Sequence, residues 1–236
     1  MYIVALNGSH KDNGNTTYLL QEILGHLEKA GAEVELISVH KAIESAKIPF
    51  CVCCSSPCNK TCYAGTLLDE TFEKVTKADF VIFGSPVYFG SMSAQLKAFF
   101  DKTRDIRAKK AWLAKPMAAV TSGATKYGGQ ERTLDAIHSC ALVLGMSPIG
   151  NSSEFTAGHF GVSATAPASE DEYAKTAAKT MAERILEKKG VEKMIFGSDA
   201  PWHAPSWDIG MIKTLGLTPA EEEQIFSGNA KKLLKL

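Results

Sequence analysis

No charge of either sign predominates in this chain, which carries 26 Lys plus Arg against 26 Asp plus Glu in 236 residues. Phosphate-backbone binding depends on a basic excess, so nucleic acid is not an expected partner. Nor is there an apolar run of about 18 residues, the length a membrane-spanning helix needs, and no membrane role is expected. The six histidines (His10, His26, His40, His138, His159 and His203) are scattered. None forms a His-x-His or His-Glu-x-x-His pattern, which argues against a histidine metal site. A Gly-x-Ser-x-Gly elbow is missing, leaving serine hydrolysis without support. Met1–Leu6 is a short apolar run with no basic segment before it, so no leader is expected and a cytoplasmic location is.

What is present describes a globular chain. Hydrophobic residues make up 45% and charged residues 22%, which excludes disordered, collagen-like and coiled-coil classes. At roughly 150 residues per domain the length allows one or two domains. Strand and helix patterns alternate with short connections, the mark of a parallel sheet covered by helices on both faces. The strands are predicted at 2–7, 33–39, 80–83, 116–121 and 148–154. Helices are predicted at 16–30, 67–77, 93–104, 130–145 and 170–189, the last opened by a capping box of Ser169 and Glu172. In such a doubly wound five-stranded parallel sheet, ligands sit beyond the carboxyl ends of the strands.

Three polar loops occupy those ends. The first runs Asn7-Gly8-Ser9-His10-Lys11-Asp12-Asn13-Gly14-Asn15-Thr16-Thr17. It lacks the Gly-x-Gly-x-x-Gly of a dinucleotide site, and five residues rather than four separate its glycines, with Asn15 where a P-loop has Lys. Its hydroxyls and helix-start amides suit a phosphate monoester such as that of FMN. An ordinary turn capped by Asn15 is the alternative. The second loop, Gly84-Ser85-Pro86-Val87-Tyr88-Phe89-Gly90, offers aromatic faces on which a flat isoalloxazine could stack. The third, Thr121-Ser122-Gly123-Ala124-Thr125-Lys126-Tyr127-Gly128-Gly129, is again polar and glycine-rich.

Five of the six cysteines fall between Cys51 and Cys62. Cys51, Cys54, Cys58 and Cys62 make a C-x2-C-x3-C-x3-C pattern, compact enough to enclose a four-iron, four-sulfur cluster. Zinc, whose cysteine pairs usually stand further apart, and free or redox-active thiols remain alternatives. Cys53 is a spare or a substitute ligand. Cys140, among Ile137, Ala141 and Leu144, reads as a small core residue.

Gly8-Ser9, Gly14-Asn15-Thr16 and Leu19, then Gly84-Ser85-Pro86-Val87-Tyr88, then Leu96-Lys97-Ala98-Phe99-Phe100-Asp101, resemble the flavodoxin-like NAD(P)H-dependent FMN reductase superfamily over residues 1–190. The cysteine segment, 49–65, is similar to that of the iron–sulfur flavoprotein branch. The resemblance implies a flavodoxin-like α/β domain that binds FMN, with its phosphate at Ser9, Lys11, Gly14, Asn15, Thr16 and Thr17. The ring would lie against Ser85, Pro86, Val87, Tyr88, Phe89 and Gly90, and against Ser122, Gly123, Tyr127, Gly128 and Gly129. It also implies homo-oligomers, dimers or tetramers, with flavin sites near subunit boundaries. Relatives usually carry an arginine where this chain has His10-Lys11; Lys11 is expected to replace it as a point charge. The implied activity is hydride transfer from NAD(P)H to flavin and onward delivery of electrons to a small acceptor or redox protein. A non-enzymatic electron relay is the alternative, and no catalytic side chain is assigned.

Residues 191–236 form a C-terminal α/β extension resembling the last strand-and-helix unit of amidohydrolase-type barrels. Asp199 stands where such barrels serve a metal, but the other barrel ligands are missing. A strand is predicted over 192–202. A helix is predicted from Thr218-Pro219-Ala220-Glu221, with a capping box and Pro at its first turn, broken at Gly228-Asn229 before a final turn from Ala230. Carrying Trp202 and Trp207, the extension is too small to fold alone and is expected to pack on the main domain or a neighbouring subunit.

Overall fold

The structure, a computed structural model, describes residues 1–152, 157–187, 195–197, 205–213 and 217–235. Two compact units divide the chain, Met1–Leu186 and Glu187–Leu236.

The first unit is an α/β sandwich. Its strands are β1 (Tyr2–Asn7), β2 (Glu33–Ser38), β3 (Phe80–Pro86), β4 (Pro116–Gly123), β5 (Ser147–Pro148) and β6 (Val162–Thr165). All pairings are parallel, in the order β2-β1-β3-β4-β5, with β6 also on β4. That order places a topological switch between β1 and β3. The helices are α1 (Asn15–Lys29), α2 (Val39–Ser45), α3 (Leu67–Lys77), α4 (Ala94–Asp101), α5 (Arg104–Ala108), α6 (Gln130–Val143) and α7 (Glu172–Leu186).

Strand alternation divides the core into two. Ile3 and Ala5 point to the layer holding Leu20, Ile23 and Met181 of α1 and α7. Val4 and Leu6 point to the opposite layer, with Phe72, Phe83, Phe99, Trp112 and Ile137. Each such side chain, fully buried, stabilises by about 1.5–3 kcal/mol relative to leaving it exposed, which is why strands covered on both faces read as continuous apolar runs.

The fifth strand is not the predicted 148–154. The chain pairs with the start of β4 through β5, at Pro116–Met117, and leaves the edge. It returns through β6, which pairs with Val120–Gly123. Gly161 permits the return, since a Cβ there would lie 2.2 Å from the Ala119 carbonyl oxygen. One strand position is thus divided between β5 and β6, and 153 and 154 of the predicted strand lie outside the described residues.

Two helices also differ from expectation. Val39, predicted as strand, opens α2 because the Ser38 side chain accepts from Lys41 N. The predicted 93–104 helix is divided by Lys102 and Thr103 into α4 and α5. The capping box of Ser169 and Glu172 does not form. Ala168–Glu170 make a 3-10 turn, and Asp171 takes the cap position, accepting from Ala174 N at 3.0 Å and from Thr165 N at 2.9 Å.

The second unit contains α8 (Pro205–Lys213), α9 (Pro219–Glu223) and α10 (Asn229–Leu234). The Thr218–Glu221 capping box forms as predicted, with Pro219 in the first turn. Gly228-Asn229 does not break the helix: both keep helical dihedrals, and a π turn over Gln224–Gly228 runs on into α10. Phe196 N donates to the Ile225 carbonyl at 3.1 Å, and the Phe196 ring meets Phe226 edge-on. Most of the predicted 192–202 strand, with Asp199 and Trp202, lies outside the described residues, as does the Trp207 side chain. Among the described residues no helix is long and apolar enough to cross a membrane.

Candidate functional site

The carboxyl ends of β1, β3 and β4 surround a cleft of about 690 Å³. Asn7, buried at the end of β1, shapes its first wall. The Asn7 side-chain oxygen accepts from Ser9 N at 3.0 Å, while Nδ2 donates to Thr17 Oγ1 at 2.9 Å and to the Lys11 carbonyl at 3.3 Å. Lys11 N donates to Ser9 Oγ, and Thr17 Oγ1 to the Lys11 carbonyl. The loop is thereby wrapped around the start of α1, whose N-cap is Gly14 with no side-chain cap bond. An uncapped helix start presents first-turn amides and a partial positive charge to the cleft, the arrangement that holds anions. Asn15 is not the cap; its side chain accepts from Ala168 N at 2.9 Å and ties α1 to the turn after β6.

A buried relay of hydroxyls joins this wall to the next. Ser93 Oγ donates to the Gly8 carbonyl at 2.6 Å and accepts from Leu96 N, capping α4. Ser93 N donates to Ser85 Oγ at 2.9 Å, and Thr121 Oγ1 to the Ser85 carbonyl at 2.7 Å. Thr16 Oγ1 lies 3.2 Å from Ser122 Oγ, and Val87 N donates to the Ser122 carbonyl. Gly8 has to be glycine in this packing, for a Cβ would stand 2.7 Å from the Gly84 carbonyl oxygen.

Of the residues singled out from the sequence, Ser9, Lys11, Gly14, Asn15, Thr16, Thr17, Pro86, Val87, Tyr88, Ser122 and Gly123 line the cleft. Six do not. Ser85 is fully buried and serves the hydroxyl relay. Phe89 is fully exposed with φ 50°, and Gly90 follows it without lining the cleft. Tyr127, 92% exposed, and Gly129 line a neighbouring cavity instead, while Gly128 lines neither. The 124–129 loop turns these residues outward through left-handed conformations at Tyr127 and Gly129. The sequence reading missed Asn13, Tyr18, Gln21, Ala124, Ala166 and Ser169, which complete the lining. Asn13 and Ala124 lie within the first and third polar loops, and Tyr18 and Gln21 lie within about one helical turn beyond the phosphate loop; Ala166 and Ser169 arrive through the divided fifth strand.

The lining holds one cation, Lys11, and neither carboxylate nor imidazole among the described residues. At the mouth, Tyr88 Oη lies 3.1 Å from His10 Nδ1. The cleft can therefore hold an anionic, partly flat ligand by positive potential and hydrogen bonding, and its walls supply no acid–base pair.

The cysteine segment lies between α2 and α3. Cys53 and Cys54 are exposed; Cys51, Cys58 and Cys62 are half-buried; all are free thiols. Cys51 and Cys53 open on a groove of about 580 Å³ with Arg104, Arg107 and Cys140. Cys140 thus packs against the core and also faces this groove, where burial pushes its thiol up. Arg104 Nη1 donates to the Ser55 carbonyl at 3.0 Å, and Lys60 pairs with Asp69 at 2.8 Å. Burial opposes ionisation of Asp69, but the Lys60 ammonium and Gly65 N outweigh it and hold the carboxyl below its usual range. Among the described residues no three metal-ligating side chains are gathered, so Cys51, Cys54, Cys58 and Cys62 are not a preassembled ligand set. Their chemistry still suits a thiolate-bound cluster, and the buried Lys102 and Tyr63 beside Cys62 supply donors to such an anion.

Residues 1–160 match the family model described as NADPH-dependent FMN reductase. Residues 156–236 match, in part, an amidohydrolase model. An iron–sulfur flavoprotein of Methanocaldococcus jannaschii is 36% identical over 64% of this chain and 77% of its own length. An iron–sulfur flavoprotein of Methanosarcina thermophila is 32% identical over 72% of this chain and 86% of its own. Among solved structures, a flavodoxin, WrbA-like protein from Agrobacterium tumefaciens superposes with a TM-score of 0.53 at 17% identity, covering 78% of this chain and 93% of that one, which supports the fold.

Proposed function

Because the chain belongs to the NADPH-dependent FMN reductase family, we propose that it is an FMN-dependent oxidoreductase oxidising NAD(P)H and serving a small acceptor or redox protein. The observation that carries this reading is the cleft itself, lined by Lys11 and by no carboxylate among the described residues, at the switch point of the sheet. When bound, FMN supplies two-electron hydride chemistry, and a cysteine-held iron–sulfur cluster supplies one-electron transfer.

The chain's own residues bind and orient. The α1 amides, Thr16 and Lys11 would hold the phosphate by charge-assisted hydrogen bonds, and the Thr17 hydroxyl braces the loop between Asn7 and the Lys11 carbonyl. Pro86, Val87 and Tyr88 offer a wall to the ring, and the Ser85–Ser93–Gly8 relay keeps that wall in register with the phosphate loop. With no carboxylate or imidazole in the lining among the described residues, rate enhancement rests on positioning donor and ring within about 3–3.5 Å. Homo-oligomer formation, as dimer or tetramer, belongs to the proposal; exposed Phe89 and Tyr127 are the surface it would cover.

Anaerobically purified protein tests this reading. Flavin bands that bleach rapidly on adding NAD(P)H support the reductase. Flavin and iron without bleaching favour a relay between proteins. Colourless protein that takes up no added FMN refutes both.

A further inference from the structure

Lys102, between α4 and α5, is buried to 2% exposure. Its ammonium donates to Cys62 Sγ at 3.2 Å, and no carboxylate stands within salt-bridge distance among the described residues. The nearby carboxylates are engaged elsewhere, Asp105 with Lys109 and Asp69 with Lys60. Next to Cys62, Tyr63 is fully buried and its hydroxyl has no hydrogen-bond partner. Burial holds that hydroxyl protonated, and Cys58, Asp105, Asp69 and Cys62 all act electrostatically on it.

Two buried donors therefore lie at the end of the cysteine segment, Lys102 without an ion pair among the described residues and the Tyr63 hydroxyl without a hydrogen-bond partner. An ammonium buried without a counter-charge is costly, and so is a buried hydroxyl without a partner. A single cysteine sulfur, a weak acceptor, offsets little of this. A cluster held by four thiolates carries net negative charge and sulfur acceptors, and would satisfy both groups at once.

We propose that Lys102, assisted by Tyr63, is the buried charge partner of an iron–sulfur cluster held by the cysteine segment, and that it raises the cluster's reduction potential. The inference rests on the iron–sulfur part of the proposed function. Lys102 acts as a positioning and tuning residue: hydrogen bonds and positive charge at cluster sulfurs favour the more negative, reduced state.

The test uses full-length protein purified anaerobically as wild type, Lys102→Met, Lys102→Gln and Tyr63→Phe. Iron, acid-labile sulfide and flavin are measured per chain, the cluster potential by spectroelectrochemical titration, and unfolding by urea with and without a chelator. Loss of the ammonium is expected to shift the one-electron equilibrium about tenfold toward the oxidised cluster, a drop of about 59 mV. Tyr63→Phe is expected to shift it less, in the same direction. Lys102→Met should weaken the iron-loaded protein but stabilise the chelated one, by relieving an uncompensated charge. If Lys102→Met does not accumulate, Lys102→Gln and Tyr63→Phe carry the same test. Iron-loaded variants with unchanged potential would overturn the role of Lys102 alone. Wild type that holds flavin but no iron overturns the iron–sulfur reading, and the Lys102 role with it.

Discussion

Ser93→Ala removes one hydroxyl that serves two walls of the cleft. Ser93 Oγ caps α4 by accepting from Leu96 N and donates to the Gly8 carbonyl at 2.6 Å, with no exposure to water. Losing the cap costs about 1 kcal/mol. Stranding the Gly8 carbonyl in a buried site costs about 1–3 more. The variant should therefore be about 2–4 kcal/mol less stable, read by urea unfolding of flavin-free protein. With a urea slope of about 1–3 kcal/mol per molar, the midpoint should fall by about 0.7 M or more. FMN affinity should fall as well, because Gly8 begins the phosphate loop and Ser85 begins the ring wall. Ser93→Thr, which keeps the hydroxyl, should recover most of both. A Ser93→Ala loss below about 0.5 kcal/mol, the level of an ordinary surface substitution, would refute the claim that this relay holds the two walls together.

Three further outcomes follow from the same geometry. Thr17→Val deletes the hydroxyl bridging Asn7 and Lys11 and should weaken FMN binding at least tenfold by fluorescence titration. Burial holds the His138 imidazole below its usual range, so the folded protein binds fewer protons than the unfolded chain as pH falls below about 6.5. That part of the stability, complete above this pH, is lost on acidification toward pH 5, and His138→Asn should flatten the decline in pH-dependent thermal unfolding. Burial resists ionisation of Asp69 but Lys60 prevails, so its stabilisation is present above about pH 4 and lost as pH falls through the depressed value. Asp69→Asn should accordingly be less stable than wild type at pH 7, and the difference should narrow as the pH is lowered below about 4, as read by unfolding curves across that range.

Strong local patterns made most of the first unit legible. β1, β3 and β4 are covered on both faces, so their apolar runs announce them without any partner in view, while the edge strand β2 is announced by alternation. The fifth position was not legible, because its pieces span two and four residues and are joined only by pairing to β4. Helix α2 was hidden by Val39, a strand-favouring residue overruled by the Ser38 cap. The phosphate loop could be read from its hydroxyls and glycines, since those groups act where they stand in the chain. The outward turn of Phe89 and Tyr127 could not, because aromatic residues seldom adopt positive φ and the loop imposes it. Nothing in the spacing of Lys102 announces its burial beside Cys62, forty positions earlier.

Flavin-free protein titrated in parallel with FMN and with riboflavin probes the α1 cleft most directly. The two ligands share a ring and differ in the phosphate that Lys11, Thr16 and the uncapped helix start would hold. FMN is expected to bind at least about 100-fold more tightly than riboflavin, a difference of about 2.8 kcal/mol. That advantage should shrink in Thr17→Val. Equal affinity for the two, or binding of neither, would contradict the assignment of this cleft as a flavin-phosphate site.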